Sequence, residues 1–344
     1  MSRDHGDRSP RTLRSPRPGR TRRARAAARC ARATAAALAV AAVASGCVVV
    51  HGEREVVPTA ARSEAARALR DFLAAYNEAD RTYDRSKDAD RVTGALGDID
   101  GGKVAAGHRN NPGGNPGHTP LKLTDATFTI PRKAGWPRWF LADAHANKGS
   151  ADAHWLLVFT RSGPDKVWAA SYLTILAPGD VPTFKKDADG WAEPVSADDA
   201  TLAVRPDTLG ATYTRYLRSG GDTFADGPHT SGWRATRQRN GSRPGLVRQY
   251  VDEPLAGGAY APVGLRTADG GALVFFTTRH YQKETASQGS PRDAANPTVK
   301  ALLTGDVHQS LTLQTVSNEA VLDPERGKVR FLSRIEGLTG AKGE

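Results

Sequence analysis

Trp155-Leu-Leu-Val-Phe-Thr-Arg161 and Leu273-Val-Phe-Phe-Thr-Thr-Arg279 are two apolar runs of one pattern, in corresponding places in the two halves of a 344-residue chain. Both are short, rich in aromatic and branched residues and closed by Thr and Arg, the composition of a buried strand rather than of a helix. Around the first run, Leu121, Leu123, Phe128 and Ile130 suit a strand that Pro131 ends, Trp139-Phe-Leu141 a second strand and Val167 to Leu176 a fourth. Around the second run, strands are expected over 246–251, 260–267, 272–281, 307–315 and 329–335. Ala268-Asp-Gly-Gly271 has the composition of a hairpin turn, and Asp323-Pro-Glu-Arg-Gly327 suits the turn before the last strand.

An amphipathic helix precedes each meander. Ala66, Leu69, Phe72, Leu73 and Tyr76 are spaced mostly by three and four with charges between them, and Ser63 is the expected N-cap. Leu209, Tyr213, Tyr216 and Leu217 mark the second helix, with Pro206 and Asp207 suited to its first turn. Residues 84–120 read as an exposed loop dense in Gly, Pro and Asn, and 219–245 as a polar, Gly-bearing segment. The expected fold class is α+β: two repeated units, each a helix packed on a curved antiparallel sheet, with domains over 63–198 and 199–344. That order of elements resembles the cystatin-like and nuclear-transport-factor-like folds, which commonly bind ligands in the concave face of the sheet.

The N-terminus carries an address. Eleven arginines fall within residues 1–32, and the span from Ala33 to Gly46 has no charge. Basic region, short apolar region and small residues, in that order, are an export signal over 1–46. The apolar span is shorter than the roughly twenty residues that cross a bilayer as a helix. Thr21-Arg22-Arg23 hints at twin-arginine export, but Arg25 and Ala26 stand where that motif carries bulky apolar residues, so the route stays open. Ala44-Ser-Gly-Cys47 resembles the lipobox of bacterial lipoproteins. The resemblance implies that Cys47 is lipidated with diacylglyceryl and palmitate-type chains and becomes the new N-terminus. Residues 47–62 are then a tether, and the protein sits at the extracytoplasmic face of the cell membrane.

This address changes the reading of charge and cysteine. Eleven arginines against Asp4 and Asp7 give the signal a net +9 of the chain's +11, so +2 remains for the rest. A nucleic-acid partner, which the whole-chain charge would suggest, is therefore not expected. Of the two cysteines, Cys30 would leave with the signal, and Cys47 is the lipid site that the lipobox resemblance implies. No thiol remains for a disulfide, a thiolate metal centre or a nucleophile.

Further stretches resemble a family of actinobacterial lipoproteins of unknown function: Gly135-Trp-Pro-Arg-Trp-Phe140, Trp155-Leu-Leu-Val-Phe-Thr160, Asp189-Gly-Trp-Ala-Glu-Pro194, Gly245-Leu-Val-Arg-Gln-Tyr250 and Leu273-Val-Phe-Phe-Thr-Thr-Arg-His-Tyr281. The resemblance implies an exported lipoprotein and brings no catalytic residues with it.

Candidate chemistry is sparse. The nine histidines are scattered, His108 and His118 flank the Asn/Pro/Gly loop, and none shows metalloprotease spacing. Gly97-Asp-Ile-Asp-Gly-Gly102 begins like a calcium loop but lacks its later ligands, so it reads as a solvated turn. Neither a metal nor a cofactor is expected. Trp136, Trp139, Trp155 and Trp168 suit a core or a pocket lining. One charge feature stands out. Arg234, Arg237, Arg239, Arg243 and Arg248 occur without an acidic residue over 227–251, with Trp233 beside them. Such guanidinium groups hold phosphate or carboxylate bidentately, and the alternative is a solvated face paired with distant carboxylates. The expected role is binding, of an envelope partner or of an anionic lipid or wall polymer. The alternatives are an enzyme with a polar pocket in one cone-shaped sheet and a structural accessory of an envelope complex.

Overall fold

A computed structural model describes residues 55–150, 152–287 and 296–344. The signal and Cys47 lie outside the described residues. From Glu55 to Glu344 the chain forms one compact unit. Its first part runs β1 (Val57–Pro58), α1 (Arg62–Thr82), α2 (Gly94–Asn110), β2 (Leu123–Thr129), β3 (Arg132–Lys133), β4 (Arg138–Ala146), β5 (His154–Arg161), β6 (Ala169–Leu176) and β7 (Pro194–Val195). Its second part runs α3 (Leu209–Ser219), α4 (Ser231–Asn240), β8 (Ser242–Arg243), β9 (Leu246–Leu255), β10 (Val263–Arg266), β11 (Ala272–Ala286), α5 (Pro297–Leu302), β12 (Leu303–Thr304), β13 (Ser310–Asp323) and β14 (Arg330–Gly343). None of the helices among the described residues is long and apolar enough to cross a membrane.

Two sheets carry the fold. β2-β4-β5-β6 make a four-stranded antiparallel meander, and β12-β14-β13-β11-β10-β7 with β9 and β8 make an eight-stranded sheet. Both opening runs are continuous rather than alternating because each is buried on both faces. Trp155, Leu157 and Phe159 pack toward α1 with Phe72 and Leu69, while Leu156 and Val158 meet Leu265, Phe275 and Val316 of the larger sheet. Along β11, Leu273 and Phe275 face the smaller sheet while Val274 and Phe276 face Leu209 and Tyr213 of α3. The order of layers is helix, sheet, sheet, helix.

The expected α+β class stands. The repeat of two helix-on-sheet units is not established, for the sheets differ in strand number and order, and their inner faces share one core. The boundary placed after 198 falls just beyond β7, which pairs with β10 in the larger sheet. The first helix is capped two residues earlier than expected, at Ala61 rather than Ser63, with the Ala61 N–H donating to Glu64 Oε2 at 3.3 Å. The expected loop over 84–120 instead holds α2. Its glycines hide the amphipathic signal and permit close packing: a Cβ on Gly102 would lie 2.3 Å from the Leu338 carbonyl oxygen. The calcium-like stretch is part of this helix, where Asp98 accepts a hydrogen bond from the Tyr260 hydroxyl at 2.7 Å.

Candidate functional site

α3, α4 and β9 border an open cleft of about 680 Å³, whose lining includes Arg218, Arg234, Arg237, Arg248, Tyr250 and Asp252. Strand periodicity puts Arg248, Tyr250 and Asp252 on one face of β9. Helical periodicity puts Arg234 and Arg237 on one side of α4. Arg218 is exposed near the end of α3. The guanidinium of Arg234 lies 5.5 Å from the Tyr216 ring centre.

Asp252 is the hub of the cleft floor. Arg237 donates to both its oxygens, from Nη1 at 2.7 Å and Nη2 at 2.8 Å, and His280 Nδ1 lies 2.5 Å from Oδ1. Burial opposes the charge on Asp252, but the hydrogen bonds from His280 and Arg237 outweigh it and hold the carboxyl down at about 2. The other ring nitrogen of His280 is 2.9 Å from Thr278 Oγ1, which is 2.6 Å from Glu319 Oε1. Glu319 is fully buried, and burial raises its carboxyl. Asp252, His280 and Thr278 are connected like a nucleophilic triad. Yet Thr278 is fully buried and already engaged by Glu319, so an acyl group has no path to its hydroxyl. The array is suited to fixing Arg237 in place.

Beside the cleft, Trp233, Arg237, Tyr250, His280, Arg334 and Glu336 line a smaller pocket of about 140 Å³. The guanidiniums of Arg237 and Arg334 lie 5.1 and 4.5 Å from the Trp233 ring centre. Tyr250 takes Arg237 at 4.8 Å. These cation–π contacts hold two arginines close together against their mutual repulsion.

Of the five arginines singled out in the sequence, Arg234, Arg237 and Arg248 line the cleft. Arg239 and Arg243 are exposed outside its lining and bond to Thr236 Oγ1 at 2.9 Å and Asn240 Oδ1 at 3.2 Å. Two of the five are paired with carboxylates from beyond the stretch, the alternative weighed for it: Asp252 takes Arg237, and Glu284 accepts from Arg248 Nε at 2.7 Å. Those carboxylates come from strands outside the 227–251 window or at its edge, so the local count overlooked them. Sequence reasoning also missed Arg218, Arg334 and the His280 chain. The one signal for the last was the spacing of Thr278 and His280, which shares a sheet face. Trp139, Trp155 and Trp168 are core residues, whereas Trp136 is half-buried between Arg138 and Arg161. His118 is tied to Asp80 at 2.7 Å. Among the described residues, no three His, Cys, Asp or Glu side chains converge as a metal set.

Residues 56–343 match the family described as "Domain of unknown function (DUF8094)". The chain belongs to this family. A protein named "Uncharacterized lipoprotein" from Streptomyces avermitilis is 64% identical over 305 residues, covering 88% of this chain and 91% of its own length. An uncharacterized lipoprotein of Streptomyces coelicolor is 60% identical over 301 residues, with the same coverage of both chains. A second from Streptomyces coelicolor is 28% identical over 231 residues, 64% of this chain and 63% of its own. The lipoprotein family read from the quoted stretches is the family these relatives show, and membrane anchoring is what their names imply.

Proposed function

We propose that this lipoprotein stands at the extracytoplasmic face of the membrane and acts by binding an anionic ligand in the cleft between α3, α4 and β9. One observation carries the reading. Four arginines line the cleft, and the one carboxylate among the lining residues, Asp252, is clamped by Arg237 and His280. Arg218 and Arg234 are the groups left to meet a ligand, while Arg237 and Arg248 are fixed by their carboxylates and set the shape of the floor. Guanidinium forks match phosphate and carboxylate oxygens. The openness of the cleft suits a segment of a wall polymer rather than an enclosed small molecule. The fully buried Thr278 weighs against the enzymatic alternative.

Polyphosphate is a suitable probe. The mature chain with Cys47→Ser binds it, and Arg218→Gln with Arg234→Gln weakens binding about tenfold while moving the melting temperature little. Raising the salt concentration weakens the wild-type interaction, since exposed charges are screened over about 8 Å at physiological ionic strength. Arg239→Gln with Arg243→Gln, outside the cleft lining, changes binding far less. Equal loss from both pairs, or none from either, overturns the reading.

A further inference from the structure

Val57 lies ten residues after Cys47, and an extended segment of that length spans at most about 36 Å. It opens β1, with Val57 and Pro58 paired to Lys133 and Arg132 of β3. With a lipid on Cys47, the corner built on β1 and β3 is therefore held within that distance of the bilayer.

What this corner presents is basic and aromatic. Val56 is 62% exposed. Arg62, exposed at the start of α1, lies 5.2 Å from the ring centre of Trp191. Trp136 has Arg138 at 4.8 Å and Arg161 at 5.5 Å from its ring centre. Of the carboxylates in the neighbourhood, Glu55 is exposed beside Val56 and three others are paired with arginines. Asp187 and Asp189 take Arg132 at 3.1 and 2.9 Å, and Glu64 takes Arg161 at 3.0 Å. No carboxylate pairs with Arg62, Lys133 or Arg138 among the described residues. Lys133 gives one hydrogen bond, to the Ala134 carbonyl at 3.1 Å, and Arg138 Nε is buried without an acceptor. Burial and the Arg138 charge push the Lys133 ammonium below its ordinary range, as expected where like charges crowd without a counter-ion.

We propose that this corner, with Arg62, Lys133, Arg138 and Trp136, rests on anionic phospholipid headgroups of the membrane that anchors the chain. Basic side chains gain from a negatively charged leaflet, and a Trp with one apolar and one polar side settles at the headgroup level. The anchor and the corner then act as two membrane contacts joined by a short tether, and the second fixes which face of the protein points outward. The inference rests on Cys47 as the lipid site and is independent of the cleft reading.

The test removes the anchor and asks whether the corner still recognises lipid. The mature chain with Cys47→Ser is sedimented with vesicles of phosphatidylcholine alone and of equal parts phosphatidylcholine and phosphatidylglycerol. Binding is expected only to the mixed vesicles. Each charge removed weakens it about fivefold, so Lys133→Gln with Arg138→Gln loses roughly thirtyfold. Arg62→Gln, at an exposed site where folding is not at stake, loses about fivefold on the same basis. Arg218→Gln with Arg234→Gln keeps vesicle binding while weakening polyphosphate binding, which separates the two surfaces. Absence of wild-type binding to mixed vesicles, equal binding to both vesicle types or full binding by the Arg62 variant overturns the proposal. So does loss of vesicle binding in the cleft variant alone, which would make the membrane the ligand of the cleft.

Discussion

Asp88 and Asp100 are buried carboxyl groups, 0% and 3% exposed, and they stand close enough to interact. With both ionised, neither Asp88 oxygen has a donor; with one proton between them they hydrogen-bond to each other. Burial, and then the neighbouring Asp100, push Asp88 from 3.8 up to about 8, and burial raises Asp100 as well. Arg85, Lys103 and Asp80 are the other charges that act on the pair. A raised acid keeps its proton in the fold, so its stabilisation is complete below the unfolded value and is lost as pH rises. The window runs from about pH 4 to about pH 8. Asp88→Asn keeps one hydrogen bond and removes the titration of Asp88, leaving that of Asp100. Its melting temperature is expected to exceed the wild type's at pH 8 and to vary less across the window. The gain is a few kcal/mol at about 1.4 kcal/mol per pKa unit. Thermal melts at several pH values measure it, and a variant as pH-dependent as the wild type refutes the shared proton. Neither aspartate could be paired from the sequence, since Asp100 looked like part of a solvated turn. The arginines were visible as a run, but which of them are free is decided by Asp252 and Glu284, residues the run does not contain.

The elements that could be read in advance were those with a clean period. β2, β4, β5, β6, β9, β10 and β11 lie where apolar runs and turn residues place them, and α1 and α3 where three-and-four spacing does. α2 was hidden because it replaces apolar side chains with glycine and buries backbone instead. Gly94, Gly101 and Gly102 are all buried. In an exposed helix, Gly→Ala is stabilising by roughly 0.5–1 kcal/mol. At Gly102 the sign reverses, because the added methyl would lie 2.3 Å from the Leu338 backbone oxygen on β14. Gly102→Ala is expected to destabilise by about 1–3 kcal/mol, the usual cost of overpacking. Urea unfolding measures this, and a stabilised variant would mean that α2 does not press on β14. The strands of the larger sheet also run further than their apolar runs suggested. Ser317, Asn318 and Glu319 continue β13 as buried polar residues, and polar positions of that kind break the pattern from which strands are read.

At the scale of the whole molecule, the question is whether the second half folds without the first. Leu265, Leu273, Phe275, Val316 and Ala320 of the larger sheet pack on Trp139, Leu141, Leu156, Val158 and Tyr172 of the smaller one. Polar bonds cross the same interface. The Asn318 side chain accepts from Leu173 N at 3.0 Å and donates to Leu173 O at 2.7 Å, and the Tyr172 hydroxyl bonds to the Tyr260 and Ala261 carbonyls, each at 3.0 Å. A chain cut at 199 would also lose β7, the partner of β10. Such a fragment exposes to water the face of its large sheet that the smaller sheet covers, at about 1.5–3 kcal/mol for each large apolar side chain fully uncovered. Beside a net stability of about 5–15 kcal/mol for an entire domain, these losses are decisive. Residues 199–344 expressed alone are therefore expected to show strand content by circular dichroism, to bind a hydrophobic dye and to melt without a cooperative transition. Co-expression with residues 47–198 should restore a single sharp melt if the halves reassociate through this shared core. A sharp melt from the fragment alone would show that the larger sheet and α3 hold together unaided, and that the halves are two domains after all.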